Sequence, residues 1–372
     1  MKNHKLLLTC LACLAALALT VLLLGAFLFF PSGKAAPQGS QEYNPGNTYS
    51  RNVENRLLDT VSDITSVKKK YWIPEDAAAA PQPRREGYGV TSDPRALRDI
   101  LSRAGDVLEG QSTFFDPDME LFPGSEVHYY LDETILAITW KQAIDNMAVT
   151  FSEVKVMDAS QFRRYVAGDE FGSGKLMLTT EMSQAVNAVV ACSGDYYGYR
   201  PDGSVVYAGR VMRSSKALPD ICYVDEEGDL LLTRRKFFDS LSEHQTYVEE
   251  NHIRFSLSFG PNLVMDGQMR PMYEYPIGEM EENYTRAVLG QRDRLHYLYI
   301  ACNKEGDCLY APDIGRFAKL VATTGCTQVY NVDGGQTATV VMDNQVINQV
   351  NYGSQRRISD IIYFATALPG KE

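Results

Sequence analysis

Two short apolar runs in this sequence each stop at an aspartate beside glycine. NAVVACSGDYYG delivers Asp195, and YNVDGGQTATVV delivers Asp333. A strand that breaks off into a tight turn displays its terminal carboxylate where a substrate can reach it. Such a pair offers nucleophilic attack, general-base catalysis and stabilisation of developing positive charge. Which aspartate does which is not readable from the residues. Glu181, in LTTEMSQAVNAVV, is a third candidate acid, and its alternative is to cap a helix beginning near Thr180.

Other chemistries lack their residues. GDEFGSGKL, Gly168 to Leu176, has the wrong glycine spacing for a phosphate loop, and leucine stands where a magnesium-binding Ser or Thr belongs. GxSxG and HExxH are absent, and the five histidines never fall at ligand spacing, which argues against serine-hydrolase and zinc chemistry. DEEGD and NKEGD read as turns, since neither has the alternating acids and closing Glu of a calcium loop. The residues require no cofactor, and a divalent cation stays open. Cys192 has no histidine nearby in sequence to activate it. Cys302 and Cys308 flank the NKEGD turn, where a disulfide and two unpaired thiols are both consistent with the spacing. A net charge of −11, with Lys68 to Lys70 as the longest basic run, argues against nucleic acid as a partner.

The elements that must carry these residues begin after an unusual N-terminus. Leu6 to Phe30 contains no charged residue and follows Lys2 and Lys5. As a helix it would reach roughly 37 Å, enough to cross a bilayer. The expectation is an uncleaved signal anchor with the remainder of the chain outside the cell; a cleaved signal peptide, whose apolar core is about 7 to 15 residues long, is the rival. The reading is therefore a cytoplasmic N-terminus over 1–5, a transmembrane segment over 6–30, a Pro/Gly/Ser-rich linker over 31–50, a helical stem over 51–125 and the main domain over 126–372.

In the stem, Val53, Leu57, Leu58, Val61 and Ile64 recur at helical spacing, and Ser92-Asp93-Pro94 reads as a helix start. From Glu126 onward, runs such as HYYLDETILAITW and MAVTFSEVKVM alternate with turn sequences, and a helix is expected from Asp313 to Gly325. The expected class is α+β: a mixed, hairpin-rich β-sheet domain with a few packed helices, preceded by a transmembrane helix and a helical stem.

NAVVACSGDYYG, TRAVLGQ, YNVDGGQTATVV and QRRISDIIYFA, in this order, resemble the phosphodiester glycosidase family. The resemblance runs from about Ala148 to Ala365. It departs from the family pattern at Ser193, where Asn is common, and at Gln336-Thr337, which replaces a Gly/Ser-rich run. The resemblance implies cleavage of a sugar-1-phosphodiester, with Asp195, Asp333 and Glu181 as the acids. Arg286 and Arg356 would hold the phosphate, since a guanidinium grips two oxygens at once. Gly334 and Gly335 would add backbone amides. Gln291, Gln336 and Thr337 would contact substrate hydroxyls or amides, and Tyr196 and Tyr197 would stack on a sugar ring or fill the core. The implied partners are a sugar-phosphodiester glycan or polysaccharide and, through the anchor, the membrane. The alternative is a non-catalytic glycan-binding module on the same scaffold.

Overall fold

The computed structural model describes residues 71–201, 203–215, 219–235, 237–272 and 283–369. The transmembrane, linker and 51–70 expectations lie outside these residues. Among the described residues no helix is long and apolar enough to cross a membrane.

Local turn chemistry sets the pairings. Strands Ile135–Ile144 and Met147–Val156 are joined by Asp145 and Asn146, both left-handed at φ 51° and 63°. Two consecutive positive φ values make a tight turn that matches the twist of a two-stranded ribbon. Asp266-Gly267 and Asp343-Asn344 repeat the device. The hairpins assemble into a nine-stranded sheet in the order Gln268–Met269, Asn262–Met265, Gln328–Val332, Arg286–Asp293, His296–Asn303, Met147–Val156, Ile135–Ile144, Val127–Leu131 and Tyr88–Thr91. A five-stranded sheet orders Gln345–Val346, Val340–Met342, Val190–Ser193, Asp360–Phe364 and Phe162–Val166. Every pairing within both sheets is antiparallel, consistent with the expected α+β class of a hairpin-rich β-sheet domain with a few helices.

Alternation along His296–Asn303 shows how the layers stack. Leu298 and Ile300 enter a core with helices Pro94–Arg103 and Ile314–Ala322, alongside Trp140, Phe151 and Phe317. Tyr297 and Tyr299 point the opposite way, as period-two geometry requires. Tyr297 lies 4.7 Å from the Phe162 ring and 5.2 Å from Phe364, both on the second sheet. Helix Thr179–Ala185 covers that sheet's far face through Met182. Two sheets face each other with helices outside them, which is why the central strands are apolar nearly throughout.

The helix signals in the sequence are realised at Asp93, whose side chain accepts from Arg95 N at 3.0 Å, and at Asp313, which accepts from Arg316 N at 2.8 Å. The described part of the expected stem does not stand apart. Tyr88–Thr91 pairs with Val127–Leu131, and Leu97 and Ile100 are buried in the main core. The physical reason is the helix's apolar stripe, which finds its cover on the adjacent sheet. All five described cysteines are free and buried, so Cys302 and Cys308 are not joined.

Candidate active site

The strand Gln328–Val332 runs beside Arg286–Asp293 with Ala287 opposite Val332. Arg286 begins the one strand just before this pair, and Asp333 follows the end of the other just after it. The chain then turns through Gly334, where a Cβ would stand 2.4 Å from the Thr285 carbonyl oxygen, so only glycine fits. Gly335 follows at φ 61°, its amide bonded to that same oxygen at 2.8 Å. The DGG triplet thus presses the Asp333 turn against the start of the neighbouring strand.

A cavity of about 290 Å³ opens at this point. Asp333, Gly334, Gly335 and Gln336 line it from one strand end, Arg286 from the next, and Arg356 from the loop before Asp360–Phe364. With Tyr196, which also lines it, seven of the residues read from the sequence are brought together. Arg200 adds a third guanidinium.

Each guanidinium lies against an aromatic ring. Arg286 sits 5.8 Å from the Tyr284 centroid, Arg356 4.5 Å from Tyr199 and Arg200 4.9 Å from Phe259. A ring face holds a cation without neutralising it. Neither Arg200 nor Arg356 forms an ion pair among the described residues, so their charge remains available to an anionic ligand.

Asp333 is the one carboxylate among the described lining residues. Burial pushes its carboxyl up to about 7; the Thr337 hydroxyl and Arg356 oppose the rise, and Asp195 adds to it. A carboxylate poised there can release or take a proton near neutrality.

Asp195 takes a different position. It is buried, accepts from Tyr196 N at 2.7 Å and Ser258 N at 2.8 Å, and lies 3.7 Å from Arg164. Its own amide donates to Asp360, which pairs with Arg164 at 2.7 Å. Burial raises the Asp360 carboxyl and Arg164 draws it back. Both Asp195 oxygens are therefore spent on the loops that carry Tyr196 and Phe259 to the cavity wall.

Glu181, Gln291, Tyr197 and Thr337 are not among the lining residues. Glu181 accepts from Leu178 N at 3.0 Å and pairs with Arg357 at 2.8 Å, the helix-capping alternative. Its carboxyl is held low by the Leu178 amide first and by Arg357 second. Gln291 sits at the far end of its strand, bonding Leu230 N and Asp229 at 2.8 Å each. Tyr197 is buried against Phe171, with its hydroxyl on the Ser359 carbonyl. Thr337 donates to the Gly334 carbonyl at 2.6 Å and supports the Asp333 turn from behind.

Sequence reasoning missed Asn331, Arg200, Tyr284 and Tyr352, all on the cavity lining. Asn331 was findable, because it stands two residues before Asp333 and period two puts both on one face. Its Nδ2 donates to the Gly260 carbonyl at 2.8 Å, and its buried Oδ1 has no partner. Among the described residues no cluster of three or more His, Cys, Asp or Glu side chains is arranged to hold a metal ion.

Residues 185–365 match the family model for phosphodiester glycosidases, and all four sequence motifs fall inside that span. The resemblance to the family is thereby shown for this region. Among solved structures, the catalytic domain of zebrafish N-acetylglucosamine-1-phosphodiester alpha-N-acetylglucosaminidase, auto-inhibited by its pro-peptide, is 16% identical with a TM-score of 0.51. That match covers 62% of this chain and 82% of that one, and it shows a shared fold. A hypothetical protein from Synechocystis matches at 10% identity and a TM-score of 0.49, over 67% of this chain and 64% of that one. No curated protein matches.

Proposed function

We propose that this chain is a hydrolase of the phosphodiester glycosidase type that cleaves a sugar-1-phosphodiester, of the N-acetylglucosamine-1-phosphodiester kind, in a surface glycan or polysaccharide. Residues 6–30 would anchor it in the cell membrane with the catalytic domain extracellular. The observation that carries the reading is Asp333, the single carboxylate among the described lining residues of a cavity with three guanidiniums.

The chemistry fits that inventory. Water attacks the anomeric carbon and gives its proton to Asp333. The bond from that carbon to the phosphate oxygen breaks, and its electron pair leaves with the phosphate. Phosphate departs as a stable anion, so the leaving group needs no proton, and one carboxylate poised near 7 suffices as base. Arg286 and Arg356 stabilise the charge accumulating on the departing oxygens. Asp195 acts behind the wall as a positioning residue.

The same inventory favours one other reading. A pocket with one carboxylate among its described lining residues also suits a non-catalytic glycan-binding module, because glycosidases ordinarily use two. Incubation with an α-linked N-acetylglucosamine-1-phosphodiester separates them. Free N-acetylglucosamine, lost in Asp333→Asn, supports the hydrolase; binding without release supports the module; sugar phosphate as product would assign cleavage to the wrong bond.

A further inference from the structure

A second cavity, of about 470 Å³, shares no described lining residue with the active-site cavity and is the larger of the two. It has room for a small organic molecule. Separate parts of the chain build it. Trp72 comes from the strand Tyr71–Trp72, Ala208 from the turn after Val205–Tyr207, and Glu226 from the turn before Leu230–Thr233. Glu249 and His252 come from the end of the helix Leu241–Glu250. Beneath them Ile73, Val248 and Ile253 are 1–3% exposed and close the floor with apolar surface. Trp72 is 39% exposed at the rim, whereas Trp140, the other tryptophan of the chain, is 2% exposed in the core.

The charge of this cavity is opposite to that of the active site. Four carboxylates and one guanidinium line it. The guanidinium is already committed: Arg254 donates to the Ala159 carbonyl at 2.7 Å and the Phe162 carbonyl at 3.1 Å, and pairs with Glu75 at 3.2 Å. Asp158 is committed to the Ser160 amide at 3.0 Å. Glu226 and Glu249 are held far more loosely. Glu226 faces His252 at 3.9 Å, and Gln245 Nε2 donates to Glu249 at a long 3.4 Å. The negative end of the helix Leu241–Glu250 adds to the field of both. A cation is the complementary ligand.

Size and chemistry narrow the kind of cation. Among the described residues no three His, Cys, Asp or Glu side chains are arranged to hold a metal ion, so these carboxylates are spread along the wall. The indole and the apolar floor suit a cation with a body, because an aromatic face attracts an ammonium group and shelters the C–H surface beside it. A protonated amine also has N–H groups to give the carboxylates, which a quaternary ammonium lacks. We propose that this cavity is a binding site for an organic ammonium ion, a protonated amine on a compact body lying against Trp72, with its N–H groups given to Glu226 and Glu249. The inference is independent of the hydrolase reading and of the active-site cavity.

The test uses the full 372-residue chain, with Trp72→Ala and with Glu226→Gln combined with Glu249→Gln. Binding of glucosamine, putrescine and N-acetylglucosamine is measured by calorimetry at low salt and slightly acidic pH, where both amines are protonated. At least one amine should bind at one site per chain, and N-acetylglucosamine should not bind there. The double glutamine variant should weaken the amine by about tenfold or more, and Trp72→Ala by roughly three- to tenfold. Asp333→Asn should leave the affinity unchanged. A preference for glucosamine would make the source an amino sugar, and a preference for putrescine a free polyamine; either supports the site. Both glutamates are exposed, so the double variant tests the proposal even if Trp72→Ala fails to fold. No binding of either amine, equal binding of N-acetylglucosamine and glucosamine, amine binding that survives the double variant, or amine binding lost in Asp333→Asn would overturn it.

Discussion

Arg286 opens the strand Arg286–Asp293 and Asp333 directly follows the antiparallel strand Gln328–Val332, next to the paired residues Ala287 and Val332, and both line one cavity. A cation and a carboxylate from segments distant in sequence are thus set on one cavity wall by backbone pairing alone.

Asp333→Asn should slow turnover by about 100-fold or more, the scale of losing a general base, without harming the fold. Its stability effect has a definite sign. The folded carboxyl is raised from 3.8 to about 7 by burial, so the folded state holds its proton while the unfolded chain releases it. The contribution of Asp333 is complete below the unfolded value and is lost as pH rises through about 7, a change on the order of 4 kcal/mol at most. Melting curves should therefore show the asparagine variant gaining on wild type more near pH 8 than near pH 5.

Asp195→Ala should act oppositely. It removes the acceptor for Tyr196 N and Ser258 N and leaves Arg164 with Asp360 alone. Breaking such a buried charge cluster costs roughly 3–5 kcal/mol. Denaturant titration should show that loss, with KM rising as the Tyr196 and Phe259 walls loosen. A stable Asp195→Ala variant with only kcat reduced would instead make Asp195 a catalytic group.

Glu181→Gln should leave kcat/KM within about twofold of wild type, because the side chain caps a helix and meets Arg357 at the surface. A loss as large as that of Asp333→Asn would return Glu181 to the site.

Tyr352→Gly should raise stability by about 1 kcal/mol, since glycine takes the left-handed conformation without penalty and no packing is lost. Thermal unfolding measures it.

The sequence exposed some of this arrangement and concealed the rest for physical reasons. The DGG triplet was legible because an apolar strand followed by glycines has few other structural uses. Asp195 looks the same in sequence, yet Asp360 from the neighbouring strand and Arg164 from the strand beyond it bury it, and a single sequence does not reveal such long-range pairings. TRAVLGQ reads as one motif, but its ends are far apart. At about 3.3 Å per residue a strand carries Gln291 well away from the cavity that Arg286 enters. Tyr196 and Tyr197 are adjacent and so diverge, one to the cavity and one to the core. Hairpin turns and helix caps, being local, were read correctly at MDGQ, Asp93 and Asp313.

The most direct test is the pH dependence of kcat/KM for release of free N-acetylglucosamine from an α-linked 1-phosphodiester, in wild type and Asp333→Asn. The account predicts an ascending limb with an apparent pKa near 7 in wild type and its loss, together with a fall of about 100-fold or more, in the variant. Equal sugar release by both proteins across that range would contradict it.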